Sequence, residues 1–235
     1  MTASTDMATI VGVHDSCAAW TLDEVIHTGL SVSMRRTAAE AAETRQAIIR
    51  SALHRFAKDG WEACSLVEVA RGADVTRGAV YHHFTGKREL LDAALSEQWH
   101  SQGEALLAAL DASTAPEVRL TAFLADYLRR LRGDTAFREL AVVTVLVAPQ
   151  APAVKSGLEQ KTAALAQWSA LLIGVLTECE ERLRAPLDIA RFNIASFLYG
   201  ATLTAALTPE DLPASGCCEA TARALVAGLI TVESP

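Results

Sequence analysis

Long apolar runs, backbone breakers and regularly spaced cysteines are all scarce in this sequence. The longest apolar runs, such as Ala141 to Ala148, are too short to span a bilayer, so no membrane partner is expected. Only 7 prolines and 13 glycines interrupt 235 residues, while Ala and Leu abound, which favours helix over strand. No tight Asn-Gly turn joins two alternating segments, so no β-hairpin is predicted. The five cysteines are Cys17, Cys64, Cys179, Cys217 and Cys218. Their odd number and irregular spacing argue against a disulfide framework, and the lack of a Cys-x-x-Cys pair argues against a zinc ribbon. Such thiols suit the reducing cytoplasm. Residues 1–33 contain no Lys or Arg, so the basic start of a secretory leader is missing. No Gly-x-Ser-x-Gly elbow, His-Glu-x-x-His pair or Gly-x-Gly-x-x-Gly loop occurs in a fitting context. No enzyme activity, cofactor or metal is therefore expected. His82 and His83 are adjacent, so on a helix they point about 100° apart and make a poor ligand pair.

Apolar residues make up 51% of the chain, enough for one large domain or one small plus one medium domain. The formal net charge is −7, but it is unevenly spread. Residues 1–33 hold four acids, residues 34–100 hold ten basic against nine acidic side chains, and the remainder eleven against fifteen. Within 71–88, Arg71, Arg77, Lys87 and Arg88 stand against Asp74 alone. Affinity for phosphate follows that local field rather than the global charge.

Periodicity is weak over residues 1–33, which predicts a disordered extension. Thr37 and Glu40 form a T-x-x-E capping box and predict a helix from about Ala38 to Asp59. Ile48, Ile49, Ala52, Leu53, Phe56 and Ala57 recur at helical spacing as its buried face, and Gly60 should end it. Ser65 and Glu68 make a second capping box, opening a short helix that buries Leu66, Val69 and Ala70 and closes at Gly72. A turn through Ala73, Asp74 and Val75 leads to Thr76, a good N-cap. A second short helix then runs from Arg77 to about Phe84, with Val80 and Phe84 facing inward. Thr85 should cap a longer helix from about Gly86 to Leu110. Two short helices joined by about four residues are the mark of a helix-turn-helix. Beyond Asp111, amphipathic helices are predicted at 116–132, 134–147, 152–183, 187–208 and 217–231, separated by proline and glycine breaks.

The residues around the second short helix suit double-stranded DNA. Ser65 and Thr76 start helices, where free amides favour a phosphate. Arg77 can reach base edges, with guanine O6 and N7 as its best target. Gly78 removes a side chain where backbone and DNA approach. Tyr81, one turn after Arg77, can bond a phosphate while its ring packs on the sugar. His83 and Lys87 are placed to touch the DNA backbone.

The run from Arg71 to Leu90 resembles the DNA-binding domain of TetR-type repressors, whose pattern is Gly-x-x-aromatic-x-His/Tyr-Phe followed by Lys. Gly78, Tyr81, Phe84 and Lys87 carry that resemblance, with Ala70 and Gly72 before them. The opening from Arg36 to Gln46 is similar to multidrug-efflux repressors of the AcrR type. One departure is Asp74, an acid near the DNA side of the turn.

The expected architecture is all-α. Residues 34–85 form an N-terminal three-helix helix-turn-helix domain, and residues 86–235 a larger C-terminal helical domain for effector binding and dimerisation. Aromatics from separate helices, Phe123, Tyr127, Phe137, Trp168 and Phe192, are the candidate wall of an effector pocket. The resemblance implies a hydrophobic or cationic drug-like effector there, and a homodimer built from the last two helices. Gly200, Ala201 and Ala205 allow close helix approach, and Leu225, Val226 and Leu229 give an apolar stripe. A rival reading is a helical carrier or adaptor that binds a ligand but no DNA.

Overall fold

A computed structural model describes the backbone of residues 22–110, 113–152 and 169–231, with side chains described from Thr37 onward in those ranges. It divides the chain into two compact units, Met1–Ala42 and Glu43–Pro235. Most of the expected extension, residues 1–21, lies outside the described residues, as does Trp168.

Helix α1 spans Leu22–Ala63, with a break at Gly60. The expected start at Thr37 is corrected: the helix is already under way fifteen residues earlier, so Thr37 is an interior position and not an N-cap. The predicted end is where the sequence puts it. Gly60 has φ 76, a left-handed backbone that only glycine adopts without cost. The chain turns there, and Trp61 stacks back on Phe56 with ring centroids 5.8 Å apart.

Helices α2 (Leu66–Gly72) and α3 (Arg77–His83) follow. Ile48, Ile49, Ala52 and Phe56 of α1 are buried with Val69 and Ala70 of α2, Val80 of α3 and Phe84. Burying each of these larger side chains contributes about 1.5–3 kcal/mol. Two seven-residue helices could not persist alone in water, so this shared core is what holds them. The crossing of α1 and α2 is close: Ser51 Oγ donates to Val69 O at 2.8 Å. A Cβ on Gly72 would collide with Ser51 Oγ.

Helix α4 runs Lys87–Leu107 and α5 Pro116–Gly133. Helix α6 covers Thr135–Val142, and its last turn widens into a π-turn at Val143–Val147 before a 3-10 turn at Ala148–Gln150. The predicted helix 134–147 is therefore regular only in its first half. Helix α7 is described over 169–177, α8 spans Leu187–Leu207 and α9 Cys218–Leu229. Helix α5 is central, touching α4, α6, α8 and α9. Arg119 is buried on it, its charge met by the Glu178 carboxylate while Nη1 donates to Leu110 O at 3.2 Å. The end of α9 is pinned to the turn before α8 by Arg184 N to Leu229 O and Thr231 N to Arg182 O, both 2.9 Å. No helix among the described residues is long and apolar enough to cross a membrane.

The tight Ser51–Gly72 crossing gives a test. Gly72→Ala should destabilise the protein by about 1–3 kcal/mol through overpacking. In a Ser51→Ala background the added methyl meets a carbon at ordinary distance, 3.6 Å away, so most of that penalty should vanish. Urea unfolding of the two single variants and the double variant measures the coupling; strictly additive losses would contradict the crossing described.

Candidate nucleic-acid interface and ligand cavity

The start of α3 is built as its sequence predicts. Thr76 is extended and its Oγ1 accepts from Ala79 N at 3.1 Å. Ser65 does the same for α2, accepting from Glu68 N at 3.3 Å. Between the helices Asp74 takes φ 54, which Asp tolerates better than most residues bearing a side chain. Asp74 thus makes the turn, and Thr76 makes the cap.

Arg77 and Tyr81 lie exposed on the outer face of α3. Arg77 donates to the Tyr81 hydroxyl at 3.2 Å, and its guanidinium stands 5.3 Å from the Tyr81 ring centroid. The pair is pre-organised side by side, one turn apart. Gly78, also exposed, leaves open space: an added Cβ would meet only Thr76 Oγ1, at 3.7 Å. Nothing inside the protein requires glycine there.

Two sequence-named residues are placed differently. Lys87 is half-buried, and its ammonium donates to Trp61 O and to Cys64 O, the latter at 3.1 Å, while standing 4.4 Å from the Trp61 ring centroid. It ties the start of α4 to the end of α1 rather than standing free. Thr85 is not the N-cap of α4; Gly86 holds that position, and the Glu89 carboxylate instead accepts from the Thr85 amide at 2.7 Å and from its hydroxyl. Those bonds hold the Glu89 carboxyl below its ordinary range. His83 is half-buried, and burial, then His82 and Arg45, push its imidazole down, so it is the more readily neutral. His82, beside it, is exposed; the sequence offered no means of telling which imidazole faces out. Among the described residues no group of three or more His, Cys, Asp or Glu side chains converges as a metal site.

The body encloses a cavity of about 390 Å³. Its walls include Trp99 of α4, Tyr127 of α5, Thr144 of the π-turn, and Arg191, Leu198 and Tyr199 of α8. Trp99 Nε1 donates to Thr144 Oγ1 at 2.8 Å, which donates to Leu140 O at 2.7 Å. The Tyr127 hydroxyl pairs with Thr202 Oγ1 at 2.6 Å, and burial pushes it up to about 12.

The expected aromatic wall is corrected in part. Tyr127 lines the cavity, but Phe123 and Phe137 are wholly buried in the core, and Phe137 packs edge-on behind both Trp99 and Tyr127. Phe192 is 66% exposed and points away from the cavity. Trp99, Thr144 and Arg191 were missed. None of the three belongs to a motif that marks it in the sequence.

The expected dimer face is corrected as well. Ala205, Val226 and Leu229 are buried within the protomer, and Ala201 and Leu225 are half-buried. Gly200 is exposed, with nothing within 4 Å of an added Cβ. The uncovered apolar residues of α8 are Ile189, Phe192, Tyr199, Leu203 and Leu207, spaced at helical intervals along one side.

Both cavity walls reach α1. Glu97, two residues before Trp99, accepts from Gln46 Nε2 at 2.9 Å and pairs with Arg45. Glu139, five residues before Thr144, meets His54 Nδ1 at 2.7 Å.

Residues 48–94 match the model for bacterial regulatory proteins of the tetR family. The chain is similar to the HTH-type transcriptional regulator SrpR of Pseudomonas putida, 54% identical over 66 residues, covering 28% of this chain and 31% of SrpR. It is also similar to the HTH-type transcriptional regulator AcrR of Shigella flexneri, 48% identical over 65 residues, or 28% of each chain. The chain thus covers less than half the length of the curated relatives it matches. The likeness of fold extends further along the chain. The solved structure of AibR in complex with isovaleryl coenzyme A and operator DNA superposes with a TM-score of 0.67 at 17% identity, covering 80% of this chain and 100% of that one.

Proposed function

We propose that the chain is a sequence-specific transcriptional repressor that grips a palindromic operator as a homodimer in the cytoplasm and lets go when a small, largely apolar effector fills its cavity. The regulated genes are an efflux or related operon, a reading that rests on the resemblance of Arg36 to Gln46 to multidrug-efflux repressors of the AcrR type. Residues 34–85 act as reader and 86–235 as effector and dimer body. The observation that carries the proposal is the Arg77–Tyr81 pair: it is exposed, pre-organised and beside a glycine with no internal role. In this reading Arg77 contacts base edges, while the Thr76 cap and Tyr81 hold phosphate and sugar. Ser65 supports phosphate contact from α2, and His83 stands beside the DNA backbone. Lys87 keeps α4 seated against α1, so it serves the reader from within. The carrier reading leaves the Arg77–Tyr81 face without work.

Arg77→Ala should cost about 1–3 kcal/mol of operator affinity and relax base preference at one position per half-site. Fluorescence anisotropy with the DNA upstream of the gene, against random DNA, checks this. Equal losses on both sequences would show that Arg77 does not read bases. No binding by the unaltered protein to either DNA would favour the carrier.

A second copy is proposed to cover the apolar side of α8. Gly200→Leu adds bulk where the protomer leaves open space, so its effect reads the partner alone. Light scattering should report a split or distorted dimer with unchanged helix content by circular dichroism. An unaltered dimer would place the interface elsewhere.

Coupling needs the cavity and the reader to share parts, and the Glu97 and Glu139 links supply them. An effector that displaces Trp99 or Thr144 moves carboxylates bonded to α1, which buries α3 on its other side. By linkage, effector and operator then weaken each other, typically by about 1–3 kcal/mol. His54→Ala removes only the α1–α6 link. It should leave cavity occupancy intact and shrink the effector's influence on operator affinity, as titrations with and without DNA would show. An undiminished influence would rule that link out.

A further inference from the structure

Among the described residues the cavity lining carries one charge. Among its described lining residues Arg191 is the only ionisable cation, and no Asp or Glu lines it. Arg191 is exposed at the rim, with no salt bridge to any described residue. The inner polar atoms are already paired. Trp99 Nε1 and the Thr144 hydroxyl donate within the protein. The Thr202 hydroxyl donates to Leu198 O at 2.9 Å, so it must accept from Tyr127. The other hydroxyls of the lining, on Ser169 and Tyr199, belong to exposed residues, so among the described residues the deep interior offers no spare donor, and a polar group buried there would go unsatisfied. The walls that remain are rings and branched carbons: Trp99, Tyr127, Leu176, Ile194 and Tyr199. Flat aromatic bodies suit them.

We propose that the effector is a compact aromatic acid, its ring system inside the cavity and its single carboxylate at the rim on Arg191. This rests on the effector-released repressor reading and narrows it. The resemblance alone pointed to a hydrophobic or cationic drug; a cation here would meet Arg191 with no acid among the described lining residues to offset it. The guanidinium matches a carboxylate in both charge and geometry, with two parallel N–H donors. Because Arg191 sits at the rim, the carboxylate keeps part of its hydration while the rings lose theirs. Placement of the charge on α8 also puts the ligand's anionic end one residue from Phe192, on the helix whose other side is uncovered.

The test uses three probes of one skeleton on the full chain: naphthylacetate, naphthylethanol and naphthylethylammonium, titrated by calorimetry at neutral pH. Naphthylacetate should bind about tenfold more tightly than the alcohol, as expected for a charge-assisted bond at a half-open site, and the ammonium should bind most weakly. Arg191→Met keeps an apolar stem at the rim. It should erase the advantage of the acetate while leaving the alcohol within about twofold. Ammonium binding as well as acetate, an acetate preference that survives Arg191→Met, or no binding by any of the three overturns the proposal. Operator release is read separately by anisotropy. If naphthylacetate binds through Arg191 but does not loosen the operator, the ligand class stands and the repressor reading fails. If only the alcohol or the ammonium releases the operator, the repressor reading stands and the ligand class fails.

Discussion

A seven-residue helix in water loses more backbone entropy than its few hydrogen bonds return, so α3 exists only because something holds it. What holds it is the burial of Val80 and Phe84 against Ile48, Ile49, Ala52 and Phe56 of α1 and Val69 and Ala70 of α2. That anchoring has a consequence for the other side of the helix. With its stability supplied from within, the outer face need not pack on anything. Arg77, Gly78 and Tyr81 can therefore be chosen for an external surface. The close approach of α1 and α2 at Ser51 and Gly72 keeps the anchor compact, and the Lys87 ammonium against Trp61 O and Cys64 O closes its far end.

The same economy joins reader to body. Helix α1 contributes its apolar side to the reader's core and its polar side to Glu97 and Glu139. Those carboxylates sit close in sequence to Trp99 and Thr144, which face the cavity. The Thr144 segment is a π-turn, a local departure from regular helix that recurs at functional sites. Its widened backbone places Thr144 where it can accept from Trp99 while donating to Leu140 O, one turn back. A body that occupies the cavity must deal with that wall.

Helix α8 is asked to do two things at once. One side lines the cavity with Arg191, Ile194 and Leu198, and the other exposes Ile189, Phe192, Leu203 and Leu207 to solvent. An isolated protomer gains nothing by exposing such a stripe, and stripes of this kind mark contact surfaces. An apolar helix with two apolar sides has little amphipathic signal, which is why periodicity alone could not assign its residues. Phe192 reads as pocket, and Ala205 reads as dimer face. Each is the reverse in three dimensions.

The sequence by itself determined the helical class, the capped starts at Ser65 and Thr76, the glycine end at Gly60 and the division of α3 into an inner and an outer face. These follow from local chemistry: a side-chain oxygen meeting an amide three residues on, a backbone angle only glycine favours, and the 3.6-residue period. The exposed Arg77 and Tyr81 were legible for the same reason, since one short helix with a known buried side has only one other side. Local chemistry failed at Thr37, whose capping box lies inside a helix that begins at Leu22. It also could not show that Lys87 turns inward to two carbonyls far away in sequence. Only the tertiary structure decided which aromatics bound the cavity, that Arg191 is the one charge among its described lining residues, and which side of α8 is uncovered. Those facts depend on how several helices of similar apolar content pack around α5, and the packing of one helix against another is written in no single segment.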